Sequence, residues 1–201
     1  AWADLQTRQQ AEVLAAANAW LGRVASDPAA ERLATEVLWL QQSFHAVDAG
    51  LLTRLLESPV PDARAAAARV LADERGRFAD AEQRLVAKAV DPNSRVRCEA
   101  VRGLSFFGTP AAMQAVVAAA NVEPSDRFIA YTCDAALGAN IDVWKKDYEA
   151  GTFVAKGTPA FAIVESVLGL DKKAAELKPH LAILLSKDPK SEEERNKAMT
   201  A

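Results

Sequence analysis

Ser58-Pro-Val-Pro-Asp-Ala-Arg-Ala-Ala-Ala-Ala-Arg-Val-Leu71 is answered one period later by Asp91-Pro-Asn-Ser-Arg-Val-Arg-Cys-Glu-Ala-Val-Arg-Gly-Leu104. Pro59 lines up with Pro92, Arg64 with Arg97, Ala67 with Ala100, Arg69 with Arg102 and Leu71 with Leu104. A third, looser copy, about one residue shorter, opens at Glu123-Pro124 and runs through Asp126, Arg127, Phe128, Cys133 and Leu137. A spacing of about 32–33 residues is that of helical-pair repeats. Each copy begins with a Pro, which cannot continue a preceding helix. A short polar residue able to cap the next helix follows: Asp62, then Asn93 or Ser94, then Ser125 or Asp126.

Between the copies lie further apolar-periodic stretches. Leu85, Val86 and Ala89 share one stripe of 81–90, and Met113, Val116 and Val117 share another of 110–120. Two helices per period follow, and since one pair cannot bury its apolar face alone, neighbouring pairs must stack. The chain therefore reads as all-α, an α-solenoid of stacked antiparallel helix pairs over 1–201, clearest over 58–140. Upstream, 4–24 and 29–44 read as helices, and Asp48 caps a short one carrying Leu51, Leu52, Leu55 and Leu56. Downstream, 141–149 reads as a short helix and 152–158 as a loop bracketed by Gly151 and Gly157. Two end-capping helices, 159–168 and 174–186, and a polar tail from Ser191 fall within 157–201.

Composition agrees. Half of the 201 residues are hydrophobic but only 6% are aromatic, which suits close helix packing through alanine rather than a sheet. A net charge of -3, from 24 basic and 27 acidic residues, disfavours nucleic acid as a partner. No run approaches the roughly 18–20 apolar residues of a membrane span. The start at Ala1-Trp2, without Met or leader, suits a piece of a longer polypeptide. Cys98 and Cys133 lack metal or redox spacing and read as small buried hydrophobes.

Catalytic chemistry has little to draw on. His45 and His180 lie far apart, each near a predicted helix end, where a cap or dipole role is expected. No zinc-protease helix, phosphate loop or nucleophile elbow occurs, so no catalytic residue, metal ligand or cofactor is expected. The expected partners are proteins, or neighbouring domains of the same polypeptide. Arg69 and Arg102 share one repeat position on the second helix and are candidates for contact with an acidic protein surface. Trp144 and Tyr148, four residues apart on one helix face, either anchor a partner or plug the edge of the stack. Arg64, Asp91, Arg97, Asp126 and Arg127 are expected to form a structural ladder, acid against guanidinium between layers. Trp39 is expected in the core.

Asp91-Pro-Asn-Ser-Arg-Val-Arg-Cys-Glu-Ala-Val-Arg102 resembles the second helix of HEAT repeats, making the solenoid HEAT-like. More narrowly, Glu36-Val-Leu-Trp-Leu-Gln-Gln42, 51–71, 95–107 and Pro124-Ser-Asp-Arg-Phe128 resemble the helical-repeat region of large secreted bacterial proteins. Those proteins join a sugar-dehydrogenase-like propeller to a c-type cytochrome domain. The resemblance covers about 30–150. It implies a periplasmic or extracellular location and a scaffold role beside redox domains, although this chain has no Cys-x-x-Cys-His haem attachment site. Two alternatives stand beside it: a HEAT-like lyase that attaches bilin chromophores, and a free-standing peptide-binding adaptor.

Overall fold

The computed structural model describes residues 7–185 together with 196 and 199. The described residues form helices and turns and contain no strand. α1 (Gln10–Arg23) and α2 (Ala30–Ser43) make the first pair, α3 (Ala49–Leu56) and α4 (Pro61–Asp73) the second. A 3-10 turn, Arg75–Arg77, leads to α5 (Ala81–Lys88) and α6 (Ser94–Leu104). α7 (Pro110–Ala120), α8 (Arg127–Ala139), α9 (Ile141–Glu149) and α10 (Pro159–Leu185) complete the stack. The second helices form one continuous row, α2 on α4, α4 on α6, α6 on α8 and α8 on α10, with α3, α5, α7 and α9 behind it.

Helix starts obey local chemistry. Asp48 accepts from the Leu51 N–H, Asn93 from Arg95, Thr109 from Ala112, and Asp126 from both Phe128 and Ile129, satisfying amides that the first turn leaves orphaned. Pro61 and Pro110 occupy first-turn positions where no N–H is needed. Asp62 is not a cap as expected: Pro61 draws the start back to Val60, and Asp62 lies within the first turn.

The core is built in columns one period apart. Leu38, Leu71, Leu104 and Leu137 are all fully buried, and Ala34, Ala67, Ala100 and Cys133 form the column beside them. Small residues let the rows approach closely. A Cβ on Gly103 of α6 would lie 2.7 Å from the Ala72 Cβ of α4. Caps Asn93 and Asp126 keep the same spacing as the columns. The third copy is therefore shortened only at its Pro: Pro124 stands two residues before its cap, Pro92 one.

Two expectations change. The end-capping pair 159–168 and 174–186 is a single helix, α10, containing Pro179. The expected break at 169–173, Gly-Leu-Asp-Lys-Lys, is too rich in helix formers for one glycine to interrupt. Trp39 is 40% exposed rather than core. Its indole instead lines a recess together with Val60, Ala63 and Ala66 of the following layer. The expected tail from Ser191 and the chain start before Thr7 lie outside the described residues.

Candidate functional site

The expected ladder exists with different rungs. Arg64 extends forward one layer, its Nε and Nη2 donating to the two carboxylate oxygens of Asp91 at 2.8 and 2.9 Å, while Nη1 donates to the Ser58 carbonyl at 2.9 Å. Burial alone would raise the Asp91 pKa. The Arg64 hydrogen bonds, the Asn93 N–H and the charges of Arg64 and Lys88 outweigh it and hold the carboxyl below its usual range. Arg97, one period on, is fully buried and pairs with no carboxylate. It donates to the Asp91 and Pro92 carbonyls at 2.9 and 3.1 Å and, one layer forward, to those of Val122 and Pro124 at 3.3 and 2.7 Å. Its Nε is buried without a partner. One period before Arg64, Glu31 does the same work with reversed polarity, accepting from Arg54 at 2.6 Å and from the Ser58 hydroxyl.

Asp126 and Arg127 do not form a rung. Asp126 caps α8, and the Ser94 hydroxyl together with the Ile129 and Phe128 amides keeps its carboxyl below the usual range. Arg127 lies over the Phe128 ring at 4.8 Å. The one-residue slip at Pro124 explains this, because the residue one helix period after Arg97 is Ala130, and the series of clasps ends there.

Trp144 is not a surface anchor. It is 1% exposed, donates from Nε1 to the Leu137 carbonyl at 2.9 Å and stacks on Phe153 with ring centroids 5.1 Å apart. Tyr148, edge-on to Trp144, donates its hydroxyl to Glu165 and so ties α9 to α10. Both residues close the edge of the stack, as the aromatic pair's second reading expects.

Arg102 is likewise committed. It bonds Asp73 at 3.0 Å and Glu99 at 3.2 Å. Burial works against its charge, but the Asp73 hydrogen bond and the two acids prevail and raise its pKa. Arg69 remains at the surface with a 3.4 Å contact to Glu99. It borders a hollow of about 460 Å³ across α2, α4 and α6. The floor is Ala63, Ala65 and Ala66, the walls are Trp39 and Val60, and Arg32, Thr35, Glu36, Asp62, Arg95 and Glu99 complete the lining. Sequence reading missed Trp39, Arg32 and Arg95 here.

Comparison with known families bears on the same helices. Residues 49–132 match the family model of HEAT repeats. That stretch is similar to a HEAT-repeat region. No curated protein and no solved structure matches the chain to significance. The matched stretch carries α3 to α7 in full, two of the three helices that form the hollow, and both arginine clasps. His45 lies outside it with its Nδ1 3.2 Å from Glu74, and the side chain of His180 lies outside what the structure describes. Cys133 is buried and its pKa is pushed up to about 12 by that burial; Cys98 is raised for the same reason. Among the described residues no group of three or more His, Cys, Asp or Glu is placed to hold a metal, and no helix is long and apolar enough to cross a membrane.

Proposed function

We propose that this chain is a non-catalytic protein-interaction scaffold whose working surface is the inner row of second helices. One observation carries the reading: an indole and a valine stand exposed around an alanine-floored hollow that crosses α2, α4 and α6. Exposed aromatic surface in a recess is the usual mark of a binding anchor. HEAT repeats generally mediate contacts between proteins, which supports the same reading. Placement in a larger extracytoplasmic redox protein rests on the resemblance of 30–150 alone. Sequencing the gene on both sides of the segment tests it: an in-frame secretion signal with propeller strands and a haem attachment motif supports it, and stop codons at both ends remove it.

The scaffold reading is tested by placing a photo-crosslinking amino acid at Ala66 in the hollow or at Gln83 on the outer helix α5 of the natural full-length protein. The expected result is a discrete crosslinked partner from Ala66 only. Equal yields from both positions, or none from Ala66, would overturn the assignment to the inner row.

A further inference from the structure

We infer that the hollow between α2, α4 and α6 receives an extended, acidic segment of a partner protein. One bulky apolar side chain sits on Trp39, and carboxylates flank it on Arg32, Arg69 and Arg95. The inference rests on the scaffold reading and names the chemistry of its partner.

The charges decide the sign. By formal count the lining is neutral, with Arg32, Arg69 and Arg95 against Glu36, Asp62 and Glu99. What solvent meets is different. The Arg69 side chain is 57% exposed while its partner Glu99 is 18% exposed, tucked beneath and already gripped by Arg102 as well. Arg95 is paired only with Asp62, and both side chains are largely in water, where such a pair contributes little and exchanges readily. Arg32 is exposed and makes no hydrogen bond or ion pair among the described residues. Three guanidinium groups are thus presented around the rim. Of the acids, Glu99 is spent, Glu36 is half-buried, and only Asp62 stands fully out. Guanidinium forks select carboxylates.

Shape decides the rest. The hollow crosses three helices side by side, two steps of about 8–10 Å between axes, which five or six extended residues at about 3.3 Å each would span. Its apolar part is confined to Trp39, Val60 and the three alanines, and so accepts one large side chain rather than a stripe. A helix laid in the hollow would need an apolar face several turns long, for which these five residues leave no surface. The extended segment suits the site better.

The test uses short fluorescein-labelled peptides with a central Leu flanked on both sides by Asp, Lys or Ser, and an Asp-flanked peptide with central Ala. Binding to the full chain is followed by anisotropy. The Asp–Leu peptide is expected to bind at least about tenfold more tightly than each of the other three, more weakly as salt rises through the range where the screening length falls below about 10 Å. Arg32→Glu should cost at least about tenfold in affinity and leave the melting temperature unchanged, since Arg32 is exposed. Trp39→Ala should cost at least as much affinity and, with its indole more than half covered, also lower the melting temperature, so its binding is compared well below that temperature. Equal or tighter binding of the Lys peptide that is still lost in Trp39→Ala would remove the acidic partner while keeping the scaffold. Binding of none of the peptides, or binding indifferent to both substitutions, overturns the inference and leaves the Ala66 crosslinking result standing on its own. A dimer in sedimentation velocity that Trp39→Ala dissociates would overturn it too, assigning the hollow to a second copy.

Discussion

Gly103→Ala isolates the close approach of α4 and α6. A Cβ built on Gly103 falls 2.7 Å from the Ala72 Cβ and 2.9 Å from Leu85 Cδ1. Leu85 can rotate its terminal methyls away. Ala72 cannot, because its Cβ is fixed to the α4 backbone. Carbon atoms in contact sit at about 3.5–4.0 Å, so the two helices must part by roughly 1 Å. Overpacking of this kind costs about 1–3 kcal/mol, against which Ala gains about 1 kcal/mol of helix propensity over Gly. The net loss is therefore about 0–2 kcal/mol, a fall in Tm of up to about 8 °C for a chain of this size. Urea and thermal unfolding followed by far-UV circular dichroism measure it. Gly138→Ala is the control, since its Cβ would meet nothing within 4 Å and should stabilise the protein through propensity alone. Ala72→Gly in the Gly103→Ala background should recover part of the loss, with a coupling of about 1 kcal/mol. Stability raised equally by Gly103→Ala and Gly138→Ala would refute the close approach.

The clasps and the aromatic edge lend themselves to similar tests. Asp91→Asn should cost about 3 kcal/mol, because it strands a mostly buried Arg64, and denaturant midpoints would show it. The folded Asp91 pKa lies below its unfolded value, so the contribution is complete above the unfolded carboxylate's value of about 3.9 and drains away as pH falls through the folded value. The gap between wild type and Asp91→Asn should accordingly close in acid, and a gap constant to below pH ~3 would contradict the assigned shift. Arg97→Met removes the donors for four carbonyls and is expected to destabilise by about 2–4 kcal/mol; a rise in Tm would mean those carbonyls find other partners. Trp144→Leu should lose about 3 kcal/mol through the emptied ring site and the orphaned Leu137 carbonyl, read by the same melts. In native alkylation followed by mass spectrometry, Cys98 should react well before Cys133, whose labelling should track unfolding.

The repeat was legible because its reporters are backbone requirements: Pro59 and Pro92 stop helices, Asn93 and Asp126 cap them, and Leu71 and Leu104 fill equivalent core places. Those needs are local and recur every period. What stayed hidden depended on the neighbouring layer. That Arg97 serves carbonyls rather than Asp91 follows from where the turn at 122–124 arrives, which no spacing within one repeat reveals. Arg127 was paired with the ladder because the alignment followed Pro124, whereas the helix follows its cap. The places of Trp144, open between anchor and plug, and of Trp39, expected in the core, depended on neighbouring elements in the same way. Burial of the first needed Phe153 from the following loop, and the second faces a recess shared with Val60 and Ala63 of the next layer. The site was thus half legible: Arg69 was found on the exposed face, but the wall beside it was not.

The clasp series that begins at Glu31 and ends before Ala130 also has a mechanical consequence. Layers of a solenoid bear a stretching force in series, so the joint with the fewest side-chain ties yields first. Turn-to-turn ties cross three successive joints through Glu31, Arg64 and Arg97. At the next, the corresponding tie is a single amide, Ala160 N–H to Asn121 Oδ1 at 3.0 Å. Pulled from its ends in an optical trap, the molecule should extend in two events, α9 and α10 peeling away before the clasped layers give way together.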